Sequence, residues 1–180
     1  MGYSALGMEP ILKSLGEDII GVEVGVCRGE NIKALLDNCQ NIKKIIGIDP
    51  WKAYKDKLNI TQAQCDEWYL KAMENLKTYI AGNKAELQRM PSLEAAKKYR
   101  DELFDFVYID GNHTFEMALA DCRAWWPKIK PWGMLSGHDF RPKDKEVRRA
   151  VYTFYDEINS ETIFKLQETE YYSWFIQKCE

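Results

Sequence analysis

The chain has 180 residues, 46% of them apolar and 29% charged, with a formal net charge of −3. That length and apolar content suit one domain spanning residues 1–180 and are short for two, while nothing in the slightly acidic balance suggests a general polyanion binder, and no nucleic-acid partner is expected. Five scattered cysteines, Cys27, Cys39, Cys65, Cys122 and Cys179, never fall in CxxC spacing, which argues against a disulfide framework or zinc knuckle and fits a reducing cytosol. No leader-like start is visible, and no run approaches the roughly 18 apolar residues of a membrane helix. A cytoplasmic protein with no membrane partner is expected.

In chain order, Met8, Ile11, Leu12 and Leu15 have helical spacing and predict a helix packed on a sheet. The stretch Ile19 to Asn31, IIGVEVGVCRGEN, reads as a buried strand, a turn bracketed by Gly25 and Gly29, and the start of a helix. Such a turn lets a ligand approach the main chain, and the helix start offers N–H groups to an anion. A second strand, Ile42 to Asp49, ends on a carboxylate about 20 residues after the glycines, where sheets of this kind place the acid that accepts from a ribose. Apolar residues recurring at three and four between Thr61 and Ile80 predict an amphipathic helix, stopped by Gly82 and Asn83.

Ala85 to Met90 is a weaker third strand, followed by a Pro91-Ser92 turn and a helix from Leu93 to Tyr99. Leu103 to Asp110, LFDFVYID, is the fourth strand and ends on an acid followed by Gly111. Thr114 to Ile129 returns to helical spacing, with Phe115, Leu119, Cys122, Trp126 and Ile129 on one face. Pro131 to Gly133 reads as a turn before a short fifth strand, Met134 to Ser136, that runs into Gly137-His138-Asp139. Arg141 to Arg149, with Lys143, Lys145 and Arg148 interrupted by acids, reads as a solvated helix start, and Val147 to Ile158 as the helix. The runs Thr162 to Gln167 and Tyr171 to Gln177 have the signature of a hairpin. Strands alternating with helices predict a doubly wound, mostly parallel seven-stranded α/β sheet of Rossmann-like type, with its site at the carboxyl edge and an antiparallel hairpin at its end.

These motifs resemble the class I S-adenosylmethionine-dependent methyltransferases over nearly the whole chain. In that family the first strand ends in an acid-x-Gly-x-x-x-Gly turn, here Glu23, Gly25 and Gly29, and the second ends in a ribose-binding acid, here Asp49. More narrowly, EVGVCRGEN, GIDPW, FVYIDGNHTFEMALAD and GHDF look like the small-molecule O-methyltransferase branch that includes macrocin-type and catechol-like enzymes. Trp132 departs from that pattern, standing where a second glycine is usual.

The resemblance implies S-adenosylmethionine as cofactor and transfer of its methyl group to a hydroxyl of a small-molecule acceptor. It implies a cofactor cradle of Glu23, Gly25, Val26, Cys27, Arg28, Gly29, Asn31, Asp49, Pro50, Trp51, Ser92, Asp110 and Gly111. Within it, Asp49 takes both ribose hydroxyls, Trp51 lies on the adenine face, and Ser92 either meets the adenine edge or caps the next helix. His113 and His138, the two histidines of the chain, both follow strand ends, and either imidazole could take the hydroxyl's proton, with Asp139 beside them. The competing chemistry is a Mg²⁺ ion on Asp110, His138 and Asp139, which would lower the acceptor's pKa directly. Two other readings are a cofactor-binding regulatory protein without turnover and an NAD-dependent oxidoreductase; the missing GxGxxG disfavours the second. Oligomeric state is not legible, and a homodimer stays open.

Overall fold

The β-branched run after Asp18 forms the strand from which the sheet is built outward. In the computed structural model, residues 7–53, 59–141, 145–158, 167–168 and 172–179 are described. Seven strands form one sheet: β1 (Ile19–Val24), β2 (Ile42–Asp49), β3 (Ala85–Arg89), β4 (Phe104–Ile109), β5 (Ile129–Gly137), β6 (Gln167–Glu168) and β7 (Trp174–Gln177). Their order is β3-β2-β1-β4-β5-β7-β6, with β1 to β5 mutually parallel and β7 antiparallel to β5 and β6. The order in which strands are added reverses between β3 and β4, so β1 and β4 lie side by side and the crevice of the fold opens at their carboxyl ends.

Helices cover both faces. On one side α1 (Glu9–Ser14), α2 (Glu30–Asn38) and α3 (Gln62–Ala81) bury Leu12, Ile32, Leu35, Cys65, Ala72 and Leu76. On the other, α4 (Ser92–Ala96), α5 (Phe115–Trp125) and α6 (Lys145–Ile158) bury Ala95, Leu119, Trp125, Ala150, Val151 and Phe154. The start of α3 is set by its sequence: Thr61 accepts from the Gln64 N–H while the Gln64 side chain accepts from the Thr61 N–H. No helix among the described residues is long and apolar enough to cross a membrane.

The structure differs from the expected elements in two places. The helix expected to run to Ile129 leaves α-geometry after Trp125, because Pro127 has no N–H for the ladder, and Trp126–Lys128 form one 3₁₀ turn. Trp125 rather than Trp126 is therefore the fully buried indole. The turn expected over residues 131–133 survives as a kink inside β5, with Trp132 at φ 66° and a register shift against β4 between Ile129 and Met134, and it is tied in by the Trp132 N–H donating to the Lys178 carbonyl and the Lys178 N–H to the Gly133 carbonyl. Those bonds come from the far end of the chain, which local turn chemistry cannot anticipate. Of the expected hairpin, β6 and β7 are seen, while residues 162–166 and 169–171 lie outside the described residues.

Candidate active site

The first half of the site is built at the ends of β1 and β2. Glu23, 1% exposed, accepts a hydrogen bond from Asn31 Nδ2 at 2.9 Å. Burial pushes its carboxyl well above the ordinary range, Asn31 opposes this, and the charges of Asp110 and Asp49 push the same way as burial. Such a group is poised to receive a cation. Asp49 is held by main chain: Oδ2 accepts from the N–H groups of Val26 and Cys27, both at 3.0 Å, and Oδ1 from that of Trp51 at 2.7 Å. Three of about four lone-pair sites are thereby used, leaving room for one further donor rather than the two ribose hydroxyls expected from sequence. Burial raises the Asp49 pKa in spite of those three donors and Arg89.

Glycine is required at the turn by two contacts. A Cβ on Gly25, whose φ is 88°, would stand 2.1 Å from the Asp110 carbonyl oxygen, and one on Gly29, the N-cap of α2 at φ 73°, would stand 2.9 Å from Leu76 Cδ1. The loops after β1 and β4 therefore touch. Cys27 adopts φ 51°, and burial pushes its thiol up against the pull of Arg28, so it is no nucleophile at neutral pH. Arg28 is turned outward to Glu30, and its carbonyl accepts from Asn75. Pro50 is exposed.

Two side chains in this half differ from expectation. Trp51 is 2% exposed, stands edge-on to Tyr69 and donates its indole N–H to the Cys27 carbonyl at 2.8 Å. It props the glycine turn from inside the core and presents no open face to an adenine. Ser92 is the first residue of α4, whose N-cap is Pro91, and makes no cap of its own; its Oγ accepts from the Trp125 indole N–H at 2.8 Å and its hydroxyl bonds the Asp121 carboxyl.

The second half forms where β4 and β5 end. The Thr114 N–H donates to the Asn112 side chain at 3.0 Å, a local turn that brings His113 back over Asp110. His113 Nε2 lies 3.5 Å from Asp110 Oδ1 and 3.1 Å from Asp139 Oδ2. His138 Nδ1 lies 3.4 Å from Asp139 Oδ2 and 3.8 Å from Asp110 Oδ1, and Arg141 Nε 3.2 Å from Asp139 Oδ1. All four residues singled out there from sequence thus converge. Asp139 is buried at φ 57°, and its pKa is lowered by the His138 hydrogen bond and by the neighbouring positive groups. Burial pulls the His138 pKa down, but its bond to Asp139 and the charges of Asp110 and Asp139 outweigh this, so the net shift is upward.

Among the described residues, the groups whose potential ligand atoms all lie within 4.8 Å of one another are Asp110, His113 and Asp139. His113 thus takes the place that the sequence reading gave to His138 in a metal triad. Sequence reading passed over Asp121 and Trp125 and gave Arg141 to a solvated helix start, whereas it pairs with Asp139. A signal existed for Asp121: residues 118, 121, 122 and 125 form a helical stripe, and a carboxylate on it is an acid on a buried face.

The family model of the methyltransferase domain matches residues 22–140, from the middle of β1 to the residue after Asp139. The chain belongs to the methyltransferase-domain family. Solved structures share the fold at low identity. A candidate S-adenosyl-L-methionine-dependent methyltransferase of Methanococcus maripaludis superposes with a TM-score of 0.70 at 13% identity, over 99% of this chain and 85% of that one. A candidate rRNA methylase of Clostridium thermocellum gives 0.70 at 12%, over 100% and 98%. An O-methyltransferase of Bacillus cereus in complex with SAH gives 0.66 at 13%, over 97% and 81%. No curated protein matches this methyltransferase domain by sequence.

Family membership implies methyl transfer, with S-adenosylmethionine as donor. The residues present fit that group: a buried acid poised for a cation, a clamped strand-end carboxylate with acceptor capacity left, and glycines where the loops meet. When bound, the cofactor supplies an electrophilic methyl on a sulfonium.

Proposed function

We propose that this methyltransferase domain methylates a hydroxyl of a small molecule. The observation that carries the reading is the convergence of His113, Asp110 and Asp139 at the open end of β4 and β5, beside the cofactor cradle. Attack on the methyl group needs the acceptor oxygen deprotonated. With His113 Nε2–H directed at Asp139, the ring is held in the tautomer in which Nδ1 takes the acceptor's proton, and the two carboxylates stabilise the imidazolium that results. His138 and Arg141 keep Asp139 ionised and in place. Half-exposure of His113 leaves room for an acceptor to approach. Glu23 and Asn31 would receive the methionine ammonium, and Asp49 a ribose hydroxyl. The negative net charge favours a small acceptor over nucleic acid.

The second reading rests on the 4.8 Å grouping of Asp110, His113 and Asp139, which would suit one divalent ion. Two carboxylates with an imidazole match Mn²⁺, Fe²⁺ or Zn²⁺ better than the Mg²⁺ expected from sequence, which prefers oxygen ligands. Bound there, the ion would acidify the acceptor hydroxyl.

The deciding experiment is a methyl-transfer screen over mono- and dihydroxylated aromatics and sugars and their amine and thiol analogues, with and without EDTA, for the wild type and His113→Ala. The base reading expects turnover that survives EDTA and falls by about 10²- to 10⁴-fold in His113→Ala. Activity abolished by EDTA and restored by Mn²⁺ or Mg²⁺ would replace the base with the metal. S-adenosylmethionine binding without methylation of any hydroxyl, but with methylation of amines or thiols in the same screen, would refute the O-directed reading.

A further inference from the structure

The second half of the site carries a guanidinium that the chemistry above uses only to hold Asp139. That carboxylate stands between two side chains: its Oδ2 lies 3.1 Å from His113 Nε2 and its Oδ1 3.2 Å from Arg141 Nε. Asp139 is buried, whereas His113 and Arg141 are each about half exposed. They are the two open ends of a three-residue chain, and one carboxylate group fixes how far apart they stand. An acceptor whose hydroxyl reaches His113 therefore lies beside the guanidinium.

The backbone around Arg141 is held in this arrangement against its own preference. Asp139 and Tyr172 both have φ 57°, and the Phe140 N–H donates to the Tyr172 carbonyl at 3.0 Å. Non-glycine residues in the left-handed region are kept there at a cost, and they gather where a ligand is clamped. The tie brings the half-exposed Tyr172 ring under Arg141, whose Cζ is 5.8 Å from the ring centroid. Nε is turned to Asp139, and the fork of the two Nη groups is a separate edge of the guanidinium, shaped for a planar anionic group. Further cations border the same outlet. Arg148 lies over the Phe140 ring at 4.8 Å and Arg149 over the Phe115 ring at 3.9 Å, although Glu146 at 3.7 Å offsets Arg149.

Resting on the hydroxyl reading above, we propose that the acceptor is a hydroxy acid: its carboxylate is held by the Arg141 fork while its hydroxyl meets His113. The charges of Asp110 and Asp139 repel such a carboxylate from the His113 end and so orient the acceptor. An uncharged acceptor of the same shape leaves the fork unmet and is disfavoured.

The test offers each hydroxylated acceptor as an acid and as its amide, for instance dihydroxybenzoate and dihydroxybenzamide, and compares kcat/KM. The wild type is expected to favour the acid by about tenfold or more. In Arg141→Gln the preference is expected to fall below about threefold; loss of rate from a slackened Asp139 affects both members alike and cancels in the ratio. Should the variant be too slow to assay, calorimetry of the same pairs on its S-adenosylhomocysteine complex reads the preference without turnover. Amides used as well as acids by the wild type, or a preference that survives in Arg141→Gln, overturn the proposal and leave hydroxyl methylation standing. Methylation of no hydroxyl in either form overturns the reading on which it rests, a distinguishable result.

Discussion

The two halves of the site are fixed by different kinds of bond. At the ends of β1 and β2 the geometry is main chain: Asp49 is clamped by three backbone N–H groups, and Gly25 leaves no room for a side chain against Asp110. At the ends of β4 and β5 it is side chain: two imidazoles, two carboxylates and a guanidinium at 3.1 to 3.8 Å, with His113 half exposed. A backbone clamp costs little to keep rigid, which suits a cofactor that is the same at every turnover. A side-chain cluster can tighten around what enters, as catalytic hydrogen bonds often do only once a substrate is bound. The contrast assigns cofactor affinity to one half and rate to the other.

That division can be broken most easily at Asp139. Asp139→Ala removes the partner of His113, His138 and Arg141 together, and turnover is expected to fall by about 10³-fold while the dissociation constant of S-adenosylhomocysteine changes less than about threefold. A fall in affinity as large as the fall in rate would show that the halves are one unit. The complementary change, Asp49→Ala, should act on binding, since it removes a charged acceptor from the ribose and releases the Val26 and Cys27 N–H groups. Calorimetry should show S-adenosylmethionine binding weakened by about 2–3 kcal/mol, with turnover at saturating cofactor nearly unchanged. Unaltered affinity would reduce Asp49 to a clamp for the glycine turn.

The same contrast governs what could be read from the sequence. The cofactor half was legible because its signals are local: a β-branched run, two glycines and an acid at a strand end each follow from neighbouring residues. The convergence of His113, His138 and Asp139 was legible once both histidines were placed after strand ends, since parallel β4 and β5 bring those ends together. What escaped depends on contacts distant in sequence. Trp51 is drawn into the core by Tyr69 and the Cys27 carbonyl, Pro131 to Gly133 are tied into β5 by Lys178, and Ser92 is claimed by Trp125 and Asp121. None of these has a signature in its own neighbourhood. Whether His113 or His138 completes a ligand group turned on the local Asn112 turn, too fine a feature for periodicity to resolve.

The smallest expected effect falls on Asp121, the buried carboxyl on α5, and it is read in stability rather than in rate. Burial raises its pKa from 3.8 to about 6, so between those values the folded protein holds a proton that the unfolded chain has released. Stability therefore falls as pH rises through that window, with no penalty below about pH 4 and the full penalty above about pH 6. The shift sets an upper bound of about 3 kcal/mol, and relaxation should bring the observed cost nearer 1–2 kcal/mol. Asp121→Asn cannot titrate, whereas Glu23, Asp49, His138 and Asp139 titrate in both proteins and largely cancel in the difference. Urea unfolding of the two proteins, free of cofactor, should give equal stability near pH 4 and an advantage for Asp121→Asn that grows to a plateau by about pH 7. A difference independent of pH would mean that the cost of the buried carboxyl does not come from its ionisation. A variant less stable than the wild type at pH 8 would mean that the ionised carboxylate already has a partner within the fold.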